Sequence, residues 1–179
     1  SVQDGRFHLF VGNQIFTSER LSWEALGKTL QLSGEVLWDK VLIAPKRLWG
    51  QASMGPFNYL PGLSYRHSIL AMELGLKGEL RLEGRQLDFS GGKGYWDRAW
   101  GTGLPEEYIF LQSNHLGEEG NLVFYWANLS IGPLAFKGFD CRFYYDGQYY
   151  QFSTYNWAKC NIKYFKRHAV TIEVENDQY

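Results

Sequence analysis

Short alternations of apolar and polar residues, each closed by turn-forming residues, recur from Arg6 to Glu175 and constrain this chain more than any other feature. A period of two sends successive side chains to opposite faces of an extended strand, whereas an amphipathic helix needs a period of 3.6. Leu30, Leu32, Gly34, Val36 and Trp38 share one face of the segment Lys28 to Trp38. Ser64 to Leu74 reads as a further strand, followed by Lys77 to Glu83, where Leu80 and Leu82 alternate with Arg81 and Glu83. Gly12-Asn13, Glu83-Gly84-Arg85, Glu118 to Gly120 and Asp146-Gly147 supply hairpin turns between such runs. The 12 Phe, 12 Tyr and 7 Trp residues suit pleated, half-buried surfaces. An antiparallel barrel or sandwich follows. The single stretch with a helical reading is short, around Ser18 to Leu26, where Ser22-Trp23-Glu24-Ala25 is expected to form a turn. Ala44 to Pro61, with Pro45, Gly50, Gly55, Pro56 and Pro61, follows neither period and reads as a long loop with some short structure.

The chain has 179 residues and neither repeat nor linker, so a single domain over residues 1–179 is expected. Lys plus Arg number 18 against 19 for Asp plus Glu, and a net charge of -1 gives no general attraction to nucleic acid or anionic lipid. No run approaches the ~18 apolar residues of a membrane helix. A soluble protein is expected, with the cytoplasm the favoured compartment and membrane contact peripheral at most. The start at Ser1 rather than Met is compatible with a removed targeting segment.

Cys141 and Cys160 form neither a CxxC pair nor a four-ligand zinc set, and read as buried free thiols, with one disulfide as the alternative. His8, His67, His115 and His168 lack the spacing of a local metal pair. His8 and His168 read as surface residues, whereas His67 and His115 lie in apolar or aromatic strands, as core histidines or as pocket groups. GxSxG, GxxxxGK[ST] and HExxH are all absent. Ser90 to Gly94, SGGKG, reads as a bend, because no helix follows whose N-terminus could hold a phosphate. Asn128-Leu129-Ser130 matches a glycosylation pattern within a strand, by chance on this reading.

The chemistry-bearing residues concentrate in Gly91 to Leu116, GGKGYWDRAWGTGLPEEYIFLQSNHL. Alternation puts Gln112 and Asn114 on one side, and Ser113 and His115 on the other with Ile109 and Leu111. An unpaired buried amide costs about 1–3 kcal/mol, so Gln112 and Asn114 either join an internal network or face a ligand. Asp97 and Arg98 point to opposite faces of their strand.

This segment resembles the tocopherol cyclase-like family, which carries a Gly-Tyr-acidic-Lys-x-Trp-Gly-x-x-Phe-Pro stretch and then an aromatic strand ending in Gln-Ser-Asn-His. Gly94, Asp97, Trp100, Gly101, Pro105 and the complete Gln112, Ser113, Asn114, His115 carry the match, with Arg98 in place of the lysine. Ala99 stands where many members have a second acid, and Leu104 replaces the phenylalanine before Pro105. Upstream, Met54-Gly55-Pro56-Phe57 and Tyr65-Arg66-His67-Ser68 are similar to further segments of the family. The resemblance implies an all-β, antiparallel lipocalin-like barrel or strongly curved sandwich of about ten strands with little helix, forming part of a longer native chain. It also implies protonation of an isoprenoid double bond, followed by attack of a phenolic oxygen on the tertiary cation. That reaction needs a general acid in a water-poor pocket and aromatic faces for the cation, with neither cofactor nor metal.

The catalytic candidates are Asp97, His67 and His115, with Asp97 as the acid, its carboxyl expected to be desolvated between Trp96 and Trp100 and so to hold its proton more tightly. Tyr95, Trp96, Trp100, Tyr108, Gln112 and Asn114 are the candidates for substrate contact. The partner expected is a hydrophobic small molecule. Plainer roles compete: Asp97 capping amides of the Gly-rich bend, Trp100-Gly101 closing a barrel end, and a lipocalin-like binder that performs no reaction.

Overall fold

A computed structural model of the protein describes residues 2–3, 6–28, 30–45, 54–165 and 169–177. His168 and residues 46–53 of the expected loop lie outside the described residues. Fourteen strands are found among those described: β1 (Val2–Gln3), β2 (Arg6–Val11), β3 (Gln14–Thr17), β4 (Arg20–Leu26), β5 (Gln31–Leu42), β6 (Tyr65–Leu82), β7 (Arg85–Asp88), β8 (Lys93–Gly101), β9 (Tyr108–Leu116), β10 (Gly120–Ile131), β11 (Leu134–Tyr145), β12 (Gln148–Ser153), β13 (Lys159–Phe165) and β14 (Ala169–Glu175). Two short 3-10 turns, Gly55–Tyr59 and Thr154–Asn156, complete the set. The fold is all-β with antiparallel pairing throughout the recorded registers. No helix among the described residues is long and apolar enough to cross a membrane.

The chain forms two compact units, Ser1–Leu42 with Glu73–Tyr95, and Ile43–Met72 with Trp96–Tyr179. The first unit is an antiparallel meander. Its tight turns are those with local chemistry: Val11 pairs Gln14 across Gly12-Asn13, and Leu82 pairs Arg85 across Glu83-Gly84, whose φ angles of 50° and 76° match a type I′ turn. The helical turn expected within Ser18 to Leu26 is instead strand β4. Leu21 lies opposite Val36 and Trp23 opposite Gly34, and the Trp38 indole donates to Ser18 O at 2.7 Å. Pairing with β5 overrides the weak local preference. The two strands expected either side of residue 75 are one continuous 18-residue strand, β6. Gly78 continues it at φ 104°, because a Cβ there would stand 2.3 Å from Glu35 O of β5. Gly34 meets Glu79 O in the same way at 2.3 Å, so two glycines permit the close approach of β5 and β6.

In the second unit β12, β11, β10 and β9 form a four-stranded sheet in that order, and β13 and β14 form a ribbon. Asp146-Gly147 closes the β11–β12 hairpin with φ angles of 48° and 71°. An antiparallel bridge joins Leu63, two residues before β6, to Ile131 at the end of β10. Met54, Leu63, Tyr65, Tyr125, Ala127 and Leu129 form a buried cluster, with Phe57, Ile131 and Phe136 packed on it. Cys141 is buried, Cys160 half-buried, and both are free thiols.

Candidate functional site

Four strands of the second unit bring their side chains to one cavity of about 190 Å3, lined by Tyr65 and His67 of β6, Asp97 and Ala99 of β8, Tyr108 and Phe110 of β9, and Tyr125 of β10, with Leu104 and Pro105 from the β8–β9 loop. Alternation explains each pair, because residues two apart on a strand share a face. Arg66 sends its guanidinium the other way, donating to Asn58 O at 3.1 Å, Leu60 O at 2.9 Å and Leu63 O at 3.0 Å. That clamp fixes the preceding loop and holds His67 on the inward face.

His67 Nε2 lies 2.8 Å from Asp97 Oδ2. His67 is only 2% exposed, and its ring stacks on Tyr125 with centroids 5.1 Å apart and planes at 14°, while Phe110 meets it edge-on at 6.2 Å. Its Nδ1 is buried without a hydrogen-bond partner among the described residues. The surroundings therefore satisfy the tautomer with hydrogen on Nε2, which donates to Asp97. The Asp97 side chain is 35% exposed, so the carboxyl sits at the open side of the pair. Tyr65 stacks on Tyr125 at 5.8 Å, and burial pushes the ionisation of both phenols upward, keeping them neutral. Tyr125 Oη is buried beside Tyr65 but makes no hydrogen bond of ordinary geometry among the described residues.

Gly101 is the residue that lets β8 lie close to β6. At φ 149° it faces Ser64 backbone, where a Cβ would stand 2.1 Å from Ser64 O, and Thr102 N–H donates to the same oxygen at 2.8 Å. The Trp-Gly pair thus positions Asp97 through the glycine. The tryptophan turns outward: Trp100 is exposed, with the Arg98 guanidinium 4.8 Å from its ring centroid. Trp96 shares that face by alternation, so the indoles adjacent to Asp97 in sequence do not sandwich it. Tyr95 is half-buried and belongs to the first unit.

On β9, Tyr108 lines the cavity. Gln112, on the same face, is half-buried with a buried Nε2 that finds no partner among the described residues, and Asn114 is buried. The alternation that turns Asn114 inward turns His115 outward, where it is exposed and its backbone N–H donates to Ser113 Oγ at 3.2 Å. Sequence reasoning passed over Tyr65, Phe110 and Tyr125. Phe110 was accessible through its parity with Tyr108 and Gln112, and Tyr65 through its parity with His67 in the Tyr65-Arg66-His67-Ser68 segment, whereas Tyr125 sits among many aromatic strand residues and carries no local signal. Also unmarked in sequence was a buried network beyond Tyr125. Asp140 Oδ2 accepts from Arg142 Nε at 2.7 Å, and its Oδ1 accepts from Gln151 Nε2 at 3.1 Å and Tyr155 Oη at 3.3 Å. Among the described residues no group of three or more His, Cys, Asp or Glu side chains could hold a metal ion. Comparison of the chain with family models, with curated proteins and with solved structures returned no match.

Proposed function

We propose that the second unit binds the reacting end of an isoprenoid lipid and protonates a double bond, in the manner of a tocopherol cyclase-like cyclase or isomerase. The observation that carries this reading is the 2.8 Å contact between buried His67 and Asp97 in the wall of an aromatic cavity. Asp97 is the acid, with its labile proton on Oδ1. As the proton leaves for carbon, the Nε2–H of His67 stabilises the new carboxylate through Oδ2. One C–H bond forms at the expense of the π bond, leaving a tertiary cation that faces Tyr125, Tyr65 and Phe110. Attack by a phenolic oxygen of the same molecule closes the ring, and the phenolic proton returns to Asp97, so the product is an isomer of the substrate. At about 190 Å3 the cavity falls below the roughly 300–1,000 Å3 of pockets that enclose drug-sized ligands, which suits the end of a longer chain.

A competing reading is a binder that performs no reaction, and the 35% exposure of Asp97 favours it, since water at the acid would quench a cation. Incubation with an unsaturated prenylquinol in deuterium oxide separates the two. Cyclisation yields a chromanol carrying one carbon-bound deuterium, lost in Asp97→Asn. Saturable binding with neither product nor deuterium incorporation leaves the binder.

A further inference from the structure

Leu104 and Tyr108 line the cavity and yet are 71% and 54% exposed, so its outer rim is apolar surface facing solvent. Leu104 is held there by the fold. Its neighbour Pro105 is buried, and the loop is tied at both ends, by Thr102 N–H to Ser64 O at 2.8 Å and by Asn128 N–H to Glu107 O at 3.0 Å. Tyr108 is also a wall of a second, larger groove of about 650 Å3, with Trp126, Tyr164, Ile109 and Ile162 beside it and Glu106, Glu107 and Lys137 as its charges. Tyr164 is 75% exposed, and Lys137 Nζ lies 5.7 Å from the Trp126 ring centroid. Cavity mouth and groove share Tyr108 at the start of β9, the end strand of its sheet, with Ile109 and Trp126 on the face opposite to Phe110 and Tyr125, so the exposed strip runs around that sheet edge from Leu104 through Tyr108 to the groove.

We propose that this strip docks on the headgroup layer of a phosphatidylcholine-type bilayer. Tyrosine and tryptophan, apolar bodies with polar tips, settle at that depth, and three of them line the groove. A trimethylammonium group is recognised by aromatic faces and carboxylates, which Tyr108, Trp126, Tyr164, Glu106 and Glu107 supply, and the adjoining phosphate is matched by Lys137. Two carboxylates against one ammonium within the groove give no preference for an anionic surface. Leu104, beyond the aromatic strip, is placed to enter the acyl boundary. The docking rests on the proposed reading to the extent that it would bring a bilayer-dissolved isoprenoid to Asp97.

The test is flotation of the full chain with phosphatidylcholine vesicles, without substrate, against vesicles mixed with phosphatidylglycerol. Binding to phosphatidylcholine is expected, unchanged or weaker with the anionic lipid, and reduced about tenfold or more in Leu104→Asp and in Tyr164→Asp. Circular dichroism should show both variants folded, since both side chains are exposed. Lack of binding to phosphatidylcholine, binding that requires phosphatidylglycerol, or folded variants that float like the parent would overturn the proposal. Turnover of detergent-dispersed prenylquinol is measured separately, so failure of docking and failure of the chemistry are told apart.

Discussion

Replacing Asp140 by Asn should destabilise the protein more than any other single isosteric change in its interior. Asp140 and Arg142 are each 5% exposed at the side chain, with Arg142 Nε 2.7 Å from Oδ2. The carboxamide of Asp140→Asn would keep the volume but remove the counter-charge, and would turn either an amide N–H₂ toward Arg142 or an oxygen away from Gln151 and Tyr155. Breaking a buried pair from one side costs about 3–5 kcal/mol, because the remaining charge stays desolvated. For a chain of this length each kcal/mol is worth about 2–4 °C, so a fall in Tm of about 6–20 °C is expected. Arg142→Met should cost less, since Asp140 retains the Gln151 and Tyr155 donors at 3.1 and 3.3 Å. Adding Arg142→Met to Asp140→Asn should recover much of the loss, because removing both charges also removes the desolvation penalty. Thermal and urea melts of the four proteins measure this cycle. A cost under about 1 kcal/mol for Asp140→Asn, or a double variant no better than that single one, would refute the reasoning.

Gly101→Ala puts a Cβ against Ser64 O and should lower both stability and any deuterium incorporation. The left-handed backbone alone accounts for about 1–3 kcal/mol, whereas Gly103→Ala, with open space around it, should leave both unchanged. Gly34→Ala and Gly78→Ala should each lower the urea midpoint well beyond Gly84→Ala, a turn glycine with no neighbour within 4 Å, because each aims a methyl at a carbonyl oxygen of the paired strand. Burial, with the Asp140 charge adding to it, pushes the Cys141 thiol up to about 12. Between an unfolded value of about 8.5 and that value, the unfolded chain ionises and the folded one does not, so stability is full below pH 8.5 and falls by about 1.4 kcal/mol per unit above it. Melts from pH 7 to 10 should show this slope flattened in Cys141→Ala, and a maleimide at pH 8 should leave Cys141 unlabelled until the protein is unfolded.

What was legible in the sequence is what local chemistry decides. Gly12-Asn13, Glu83-Gly84 and Asp146-Gly147 each pair the residues flanking them, because the positive φ angles of such turns, at Gly12 in the first and at both positions in the other two, need few residues and no distant partner. Trp23 shows the limit. Its neighbours Ser22, Glu24 and Ala25 are compatible with a helical turn, and it is extended because β4 pairs along its length with β5, where Gly34, eleven positions on, lies opposite it. The same limit governs the site. Motif reading reached Asp97, His67 and Tyr108, and alternation separated Asp97 from Arg98, yet no local window shows that His67, thirty positions before Asp97, meets its carboxyl, or that Tyr125, twenty-eight positions after Asp97, stacks on the His67 ring. Asp140 and Arg142 make the case most sharply. Two opposite charges at i and i+2 on a strand look, in one dimension, like a solvated face. They are interior because Tyr125 and Ser153 flank Asp140 on the neighbouring strands, and Val123 and Gln151 flank Arg142. All of these are buried, so the face is closed by residues that no local window contains. A charged pair on a strand therefore reports burial only once register is known, and register is the quantity that the turns constrain at hairpin ends alone.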